Sequence, residues 1–340
     1  MPEIIAEIGV NHNKSEKILT SLIKGAKNAG ADYVKFQRFI SSDEISNKAT
    51  LAAYQNTKDN KYESQLRMAQ DLEMSDELLT LGVETCKRFE IKPLCSPFEM
   101  KSIFFIKDVL GMRDVKVPSP EITNIPYLEA IAENFDKAFI STGASYLWEV
   151  AYALDIIKNI NPNIDIILMH CVSEYPAPLE SLNLSAMKTL SQAFKLPVGF
   201  SDHSSGILGS IAALSLGAEV IEKHITLDKN FFGPDHKASI TIDELGQICE
   251  FGKEVKSLIG NGLKIPASCE IDNRRLIRKS IYLNVDKLSK GSILKEVHVE
   301  CKRPFNENLL SPIEIKKFFG KKLNKDKFYD EGIFLEDFLS

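Results

Sequence analysis

The sequence predicts an α/β protein: a closed (β/α)8 barrel, the TIM barrel, followed by a small second domain. Short segments rich in β-branched residues alternate with amphipathic segments through most of the 340 residues. Such alternation gives a parallel sheet, and eight strand–helix units are the number that closes a barrel. Polar side chains also recur at the ends of the strand segments, which is where a barrel of this type collects its chemistry.

Eight segments have the composition of buried strands. They are residues 4–8, 33–37, 91–96, 115–117, 138–141, 164–170, 198–201 and 219–224. Helical segments lie between them, and several end at a glycine, as at Gly30, Gly217 and Gly260. An open, doubly wound sheet is the alternative arrangement. The turn after the first strand, which begins at Gly9, lacks the glycine pattern of a dinucleotide loop, and this favours the barrel.

The alternation stops near Pro266, where a polar stretch begins. We therefore predict a catalytic barrel at residues 1–264, a linker at 265–279 and a compact, loop-rich domain at 280–340.

Composition argues against several classes of partner. The net charge is −5 without a long run of one sign, so we expect neither nucleic acid nor a membrane surface as a partner. The chain begins with a strand-like segment instead of a basic leader and has no bilayer-length apolar stretch, so we expect a cytoplasmic protein. The six scattered cysteines are expected to be reduced core residues, and Trp148 a packing residue within a helix.

Two histidines narrow the prediction to a kind of site. His203 follows the seventh predicted strand and His224 ends the eighth. A strand, a helix and a second parallel strand bring the two strand tips side by side. Two imidazoles suit a divalent metal that is left partly open for substrate or water, and they are too few for a closed structural zinc site.

The other strand ends surround that pair with charged groups and hydroxyls. Each of these residues alone is more often a solvated loop residue or a helix cap; their convergence at one end of the barrel is what favours a site. Lys35 and Lys116, beside several serines, predict a phosphate cradle. Glu7 and Glu121 are candidates for acid–base work or for hydrogen bonds to a sugar hydroxyl.

Several ordered motifs carry a resemblance to a known family. They are Ala6-Glu7-Ile8-Gly9-Val10-Asn11-His12, Val34-Lys35-Phe36-Gln37, Ser141-Thr142-Gly143, His170-Cys171-Val172-Ser173-Glu174-Tyr175-Pro176, Gly199-Phe200-Ser201-Asp202-His203, Glu222-Lys223-His224 and Gly233-Pro234-Asp235. With these motifs the chain resembles the sialic acid synthase family. Lys302-Arg303-Pro304 and Gly320-Lys321-Lys322 are similar to the C-terminal antifreeze-like (SAF, β-clip) domain of those enzymes.

The resemblance implies a reaction and a set of site residues. The enzyme would be a transferase that condenses phosphoenolpyruvate (PEP) with an N-acyl amino sugar, either N-acetylmannosamine or a 2,4-diacetamido-6-deoxyhexose. It would form a carbon–carbon bond and release phosphate, giving N-acetylneuraminate, legionaminate or pseudaminate for surface glycans. His203 and His224 would hold Mn²⁺ or Mg²⁺, and Glu7 and Glu121 would be catalytic. PEP would be bound by Lys35, Lys116, Ser119, Ser141 and Ser201, and the sugar by Gln37, Asn56, Tyr175, Asp235 and Arg303.

Two further features follow from the resemblance. In the family, the arginine that Arg303 matches reaches the sugar across a domain-swapped homodimer, so dimerisation would complete the site. Many relatives read Gly-Ser-Gly-Glu where this chain reads Pro118-Ser119-Pro120-Glu121. The serine and the glutamate keep their spacing, while the prolines restrict the backbone. We therefore expect the reaction chemistry to be kept and the shape of the sugar pocket to differ.

Two other functions stay open from the sequence. A Schiff-base aldolase acting on sialic-acid-like sugars would use Lys116 or Lys35 as the amine nucleophile, and would resist chelators and be trapped by borohydride. A catalytically silent carbohydrate-binding barrel is the other alternative. Its weakness is that the chain has both histidines, both lysines and both glutamates.

Overall fold

The computed structural model describes residues 1–50 and 63–338, and the chain divides into two compact units. The first is Met1–Gly260 and the second is Asn261–Ser340.

Within the described part of Met1–Gly260, eight parallel strands form a near-closed barrel. They are β1 (Glu3–Glu7), β2 (Tyr33–Arg38), β3 (Lys92–Pro97), β4 (Asp114–Val117), β5 (Lys137–Ser141), β6 (Asp165–Cys171), β7 (Val198–Asp202) and β8 (Val220–Thr226). Every predicted strand boundary lies within two residues of these bounds. The barrel prediction is therefore confirmed, and the open doubly wound sheet is wrong.

The strand order around the wall is β4-β5-β6-β7-β8-β1-β2-β3, and the short strand β9 (Ile240–Thr241) pairs with β8. β3 and β4 are neighbours, although no ladder joins them among the described residues. Tyr127, in the helix that follows β4, donates a hydrogen bond to the carbonyl of Pro97 at the end of β3, at 2.6 Å. We call this junction of β3 and β4 the seam. A side-chain hydrogen bond joins the wall there in place of a backbone ladder.

Helices cover the outside of the barrel, and side-chain caps fix several of their starts. Ser15, Ser75 and Thr241 each accept a hydrogen bond from a backbone N–H of the first helical turn. The helices are α1 (Glu16–Ala29), α2 (Ser41–Glu44), α3 (Gln65–Leu72), α4 (Asp76–Arg88), α5 (Met100–Phe104), α6 (Ile125–Asn134), α7 (Leu147–Ile160), α8 (Ala186–Phe194), α9 (Leu208–Ser215) and α10 (Ile242–Ile259). Across the described residues, none of the helices is both long enough and apolar enough to span a membrane.

The barrel interior has an apolar layer that lies directly beneath the polar strand ends. Its buried members are Ile5, Tyr33, Leu94, Phe139, Ile167, Met169 and Val220. Side chains two apart on a strand point to the same face. The residues two positions further along therefore stand on this layer at the carboxyl end of the barrel, and they include Glu7, Lys35, Ser96, Ser141, Cys171 and Glu222.

The second unit is small and rich in turns. Strand β10 (Ser280–Leu283) pairs antiparallel with β12 (Val299–Lys302), and β11 (Lys287–Leu288) with β13 (Lys327–Phe328). A core of its own includes Ile281, Leu283, Leu294, Leu323 and Ile333. The segment predicted as a linker contains a helix, α11 (Ile271–Ile277), and the predicted division at 264, 265–279 and 280–340 stays a prediction.

Two expectations about single residue types need correction. Cys86, Cys95, Cys171 and Cys249 are buried as free thiols, but Cys269 and Cys301 are exposed, so the expectation of core cysteines is wrong for these two. Trp148 lies in α7 but is 67% exposed, so its expected packing role is also wrong.

The apolar layer inside the barrel predicts an unequal response of two aromatic residues to truncation. Phe139→Ala removes a fully buried ring that packs edge-on against Tyr33, with ring centroids 5.6 Å apart. We expect it to lower the free energy of unfolding by about 3–5 kcal/mol, measured by urea denaturation. The control Trp148→Ala should change it by less than about 0.5 kcal/mol. Equal losses from the two substitutions would contradict the assignment of the barrel core.

Candidate active site

The carboxyl end of the barrel holds a cluster of buried charges. Glu222 is its centre: the Lys116 Nζ lies 3.0 and 2.9 Å from the two oxygens of the Glu222 carboxylate. Lys35 Nζ lies 3.4 Å from Glu222 Oε1, and the Ser201 hydroxyl donates to the same oxygen at 3.0 Å. All four side chains are nearly inaccessible to solvent, so one carboxylate is the counter-ion for two buried ammonium groups.

Glu7 extends this cluster towards the first two strands. Its Oε2 lies 3.2 Å from Lys35 Nζ, and its Oε1 accepts a hydrogen bond from Gln37 Nε2 at 2.8 Å. Lys35 Nζ also donates to the Ser96 hydroxyl at 3.2 Å. The ladder registers Glu7 with Lys35 and with His224, which explains why residues distant in sequence meet here.

The two histidines lie beside the charged cluster, with ring centroids 6.1 Å apart. His203 Nδ1 lies 2.6 Å from the carbonyl oxygen of Val172. Because a carbonyl only accepts, Nδ1 carries the proton, and the lone pair is on Nε2. That Nε2 lies 3.1 Å from the Tyr175 hydroxyl and 3.3 Å from the Ser201 hydroxyl. His203 therefore directs its acceptor nitrogen at the other site residues.

Burial sets the charge state of the histidines. It lowers the pKa of His203 to about 3, with the neighbouring His224 adding to the effect, and it also lowers the pKa of His224. Both rings are therefore neutral at ordinary pH, which is the form that ligates metal.

The surroundings shift the pKa values of the two carboxylates in opposite directions, and they do the same to the two lysines. Burial raises the pKa of Glu7 despite the adjacent Lys35. Burial also disfavours ionised Glu222, but Lys116 and Lys35 outweigh it and hold the pKa of Glu222 below its ordinary value. The pKa of Lys116 is lowered by burial, whereas Glu222 and Glu7 together raise that of Lys35. The two lysines thus differ in how firmly they keep their protons.

The residues present fit a partly open metal site. No group of three His, Cys, Asp or Glu side chains within residues 1–50 and 63–338 is arranged to hold an ion by itself. His224 Nδ1 is nevertheless buried without a hydrogen-bond partner among the residues described, 3.6 Å from Asp235 Oδ2. Gly9 has φ of +52°, and a Cβ there would lie 3.2 Å from both Glu7 Oε1 and His224 Cε1. Two neutral imidazoles, one of them with an unpaired nitrogen, suit an ion whose remaining ligands are water or substrate.

A second group of predicted residues lies between the loops that follow β4 and β5. The Ser119 hydroxyl accepts a hydrogen bond from the backbone N–H of Gly143 at 3.1 Å and lies 3.4 Å from Cys171 Sγ. A Cβ on Gly143 would lie 2.7 Å from Ser119 Oγ and 2.9 Å from Cys171 Sγ, so only glycine allows this approach. Ser141 is buried at the end of β5, two positions beyond Phe139.

Glu121 has different neighbours from the charged cluster. It lies in a short 3-10 turn, Ser119–Thr123, whose N-cap is Pro118. Asn124 Nδ2 donates to its carboxylate at 2.6 Å, while burial raises its pKa. A carboxyl group with a raised pKa suits the transfer of a proton near neutral pH.

The predicted sugar-binding residues are distributed between the two units. Gln37, Tyr175 and Asp235 lie with the cluster in the first unit: Tyr175 stacks on His203 with ring centroids 4.2 Å apart. Arg303 belongs to the second unit, where its Nε donates to the Ile277 carbonyl at 3.1 Å. The predicted residue Asn56 lies outside the described residues.

Glu222 and Ser96 belong to the cluster but were not predicted as site residues from the sequence. The available signal was spacing: Glu222 is two residues before His224, and Ser96 registers with Gln37 across the ladder. Spacing alone could not show that Glu222 contacts both Lys35 of β2 and Lys116 of β4.

The sequence of this chain matches a known protein family. A family model described as the NeuB family matches residues 22–264, more than half of the chain. The chain belongs to the NeuB family.

Relatives extend the NeuB match over nearly the whole chain. N,N'-diacetyllegionaminic acid synthase of Campylobacter jejuni is 43% identical over 331 residues, 97% of this chain and 98% of the relative. The enzyme of the same name from Legionella pneumophila is 38% identical, covering 94% of this chain and 90% of the relative. A crystal structure of the N-acetylneuraminic acid synthetase of Leptospira borgpetersenii superposes with a TM-score of 0.70 at 29% identity, covering 80% of this chain and 90% of that one.

The shared carboxylate predicts a large cost for neutralising Glu222. Glu222→Gln leaves Lys35 and Lys116 buried without their common counter-ion, and we expect it to lower the free energy of unfolding by about 3–5 kcal/mol. Urea denaturation measures this. The control Glu219→Gln changes an exposed carboxylate just before β8 and should cost less than about 0.5 kcal/mol. A loss below about 1 kcal/mol for Glu222→Gln would show that the lysines do not depend on it.

Proposed function

We propose that this protein is a nonulosonic acid synthase that condenses PEP with an N-acyl amino sugar and releases phosphate. The observation that carries the proposal is the pair of buried ammonium groups, Lys35 and Lys116, held beside two neutral histidines. The NeuB family match and the synthases among its relatives support the same activity. The relatives from Campylobacter jejuni and Legionella pneumophila are both named as N,N'-diacetyllegionaminic acid synthases. We therefore propose a 2,4-diacetamido-6-deoxyhexose as the sugar.

The charge of the cluster favours a small anion. Two buried ammonium groups, Lys35 and Lys116, share the carboxylate of Glu222, and burial disfavours the ionised form of Glu7, the other carboxylate beside Lys35. PEP carries a carboxylate and a phosphate, which can accept hydrogen bonds from the lysines and from Ser201. The Ser119 and Ser141 hydroxyls, at the ends of β4 and β5, are proposed to complete this binding site.

The reaction forms a carbon–carbon bond, and a carbon–oxygen bond from water replaces the carbon–oxygen bond to phosphate. Carbon 3 of PEP attacks the aldehyde carbon of the open-chain sugar, and the aldehyde oxygen takes up a proton to become a hydroxyl group. Water adds to carbon 2, and phosphate leaves with its bridging oxygen. Glu121 is proposed to accept a proton from that water, and Glu7, whose pKa is raised, to supply the proton at the sugar.

Three side chains are proposed to orient the sugar in the first unit. Gln37, Tyr175 and Asp235 lie around the same end of the barrel as the histidines. A divalent ion, Mn²⁺ or Mg²⁺, held by His203 and His224 would supply Lewis-acid polarisation of the aldehyde. We further propose that residues 280–340 form an antifreeze-like domain and that a homodimer brings Arg303 to the N-acyl group.

The geometry argues against the aldolase alternative. A Schiff base requires a neutral amine with a free lone pair. Burial lowers the pKa of Lys116, but its ammonium group is held by both oxygens of Glu222, and Glu222 and Glu7 raise the pKa of Lys35. Neither amine is therefore free to attack a carbonyl.

The metal role predicts loss of activity when one ligand is removed. His224→Ala should reduce sugar-dependent phosphate release from PEP by about a hundredfold or more, since stabilisation of the developing charge is lost. Treatment with EDTA should do the same to the unaltered protein, with recovery on adding Mn²⁺. The control His170→Gln alters a ring that binds the Leu182 carbonyl and should keep most activity. Unchanged phosphate release by His224→Ala, or a covalent adduct trapped by borohydride, would overturn the proposal.

The proposed contact between Arg303 and the N-acyl group predicts that a substitution at this residue weakens sugar binding selectively. Arg303→Ala should raise the KM for the sugar by about tenfold or more while leaving the KM for PEP within about twofold, because a charged hydrogen bond contributes roughly 1.5–3 kcal/mol. Steady-state kinetics with each substrate varied in turn measures both. Arg303→Lys tests whether charge alone suffices. An equal rise in the two KM values would assign Arg303 to folding or to dimerisation instead.

A further inference from the structure

A buried ion pair lies on the outer face of the barrel wall, directly behind the two histidines. Asp202 falls between Ser201 and His203 on β7, and Lys223 falls between Glu222 and His224 on β8. Because side chains alternate along a strand, this pair points away from the interior while its chain neighbours point into the site. Asp202 and Lys223 are also register partners in the β7–β8 ladder.

The Asp202 carboxylate is bound on both oxygens. Oδ2 lies 3.1 Å from Lys223 Nζ and accepts from the Ser210 hydroxyl at 2.7 Å. Oδ1 accepts from the backbone N–H of Ser204 at 2.9 Å and from its hydroxyl at 2.7 Å. The Lys223 ammonium group also donates to the Ser204 carbonyl. Both members of the pair are about 1% exposed, and neither faces the proposed substrates.

Helix α9 approaches this carboxylate closely because its second residue is Gly209. A Cβ built there would lie 3.0 Å from Asp202 Oδ2 and 3.1 Å from Oδ1. An alanine would therefore push on the carboxylate without changing any charge.

The same network reaches the site through the backbone on both sides of His203. Ser204, which the pair holds by its N–H and its carbonyl, forms a β-bridge with Ala177. The N–H of Ala177 donates to the His203 carbonyl at 3.0 Å. Tyr175, two residues earlier, is the ring that stacks on His203. The ion pair thus fixes the strand end that carries His203 and the loop that carries Tyr175.

A buried ion pair contributes little to stability by comparison with well-packed apolar residues, so stability alone does not account for one at this place. We propose that Asp202 and Lys223 are positioning residues, which hold the ends of β7 and β8 so that His203 and His224 keep the spacing needed to bind one divalent ion. This inference rests on the proposed function, in which those histidines are the metal ligands.

The experiment measures Mn²⁺ binding directly, by isothermal titration calorimetry on the chelator-treated full-length protein. The double variant Asp202→Asn/Lys223→Met removes both charges together and so avoids leaving one buried charge unpaired. We expect its Kd for Mn²⁺ to rise by about tenfold or more, as for groups that orient metal ligands. Its kcat should fall while its KM for PEP stays within about twofold. The electron paramagnetic resonance spectrum of bound Mn²⁺ should change as well.

Two further variants separate positioning from folding. Gly209→Ala keeps both charges and adds one methyl group against the carboxylate, so it should raise the Kd for Mn²⁺ while the protein still unfolds in one cooperative transition. Lys137→Met removes an ion pair with Glu3 at the opposite, amino-terminal end of the barrel and should bind Mn²⁺ like the unaltered protein.

The outcomes distinguish this inference from the function on which it rests. If the unaltered protein binds Mn²⁺ and both the double variant and Gly209→Ala bind it equally well, the positioning role is wrong and the proposed function stands. If the unaltered protein itself binds no Mn²⁺, the metal role of the histidines and this inference both fail. If the double variant does not fold, Gly209→Ala decides alone.

Discussion

The site depends on one electrostatic constraint: two ammonium groups are buried in the barrel, and a single carboxylate, Glu222, contacts both of them. Glu222 holds Lys116 through both oxygens and Lys35 through one, and burial disfavours the ionised form of Glu7, the other carboxylate beside Lys35. Desolvation makes buried ammonium groups costly, and a bound anion would offset that cost.

The apolar layer inside the barrel is what keeps these charges at one level. Ile5, Tyr33, Phe139 and Val220 exclude water below the cluster, and the ladder carries each strand two residues further to Glu7, Lys35, Ser141 and Glu222. Water therefore does not solvate the polar groups from below, and they form ion pairs and hydrogen bonds with one another instead. Packing and electrostatics are not separate contributions here, since the apolar layer determines which partners the charges can find.

Much of this arrangement could be predicted from the sequence because it depends on local periodicity. The strands were located to within two residues, and His203, His224, Lys35, Lys116 and Glu7 were placed correctly at strand ends. Glu222 was not recognised as the centre of the cluster, because its role depends on partners from β2 and β4 that only the closed barrel brings together. The exposure of Trp148 escaped prediction for a related reason: an aromatic residue in a helix is apolar on either face, and only the packing shows which face is covered.

The seam between β3 and β4 has a consequence for how this family of sites can diversify. The wall is held there by the Tyr127 hydroxyl on the Pro97 carbonyl, whereas its other strand neighbours share a ladder of backbone hydrogen bonds. Immediately after β4 comes Pro118-Ser119-Pro120-Glu121, the segment whose two prolines restrict the backbone. Backbone changes at a seam break no ladder, so they cost less than the same changes elsewhere in the wall. The outline of the proposed pocket is therefore easiest to alter beside Glu121, while His203, His224 and Lys35 lie at the ends of strands that ladders join on both sides.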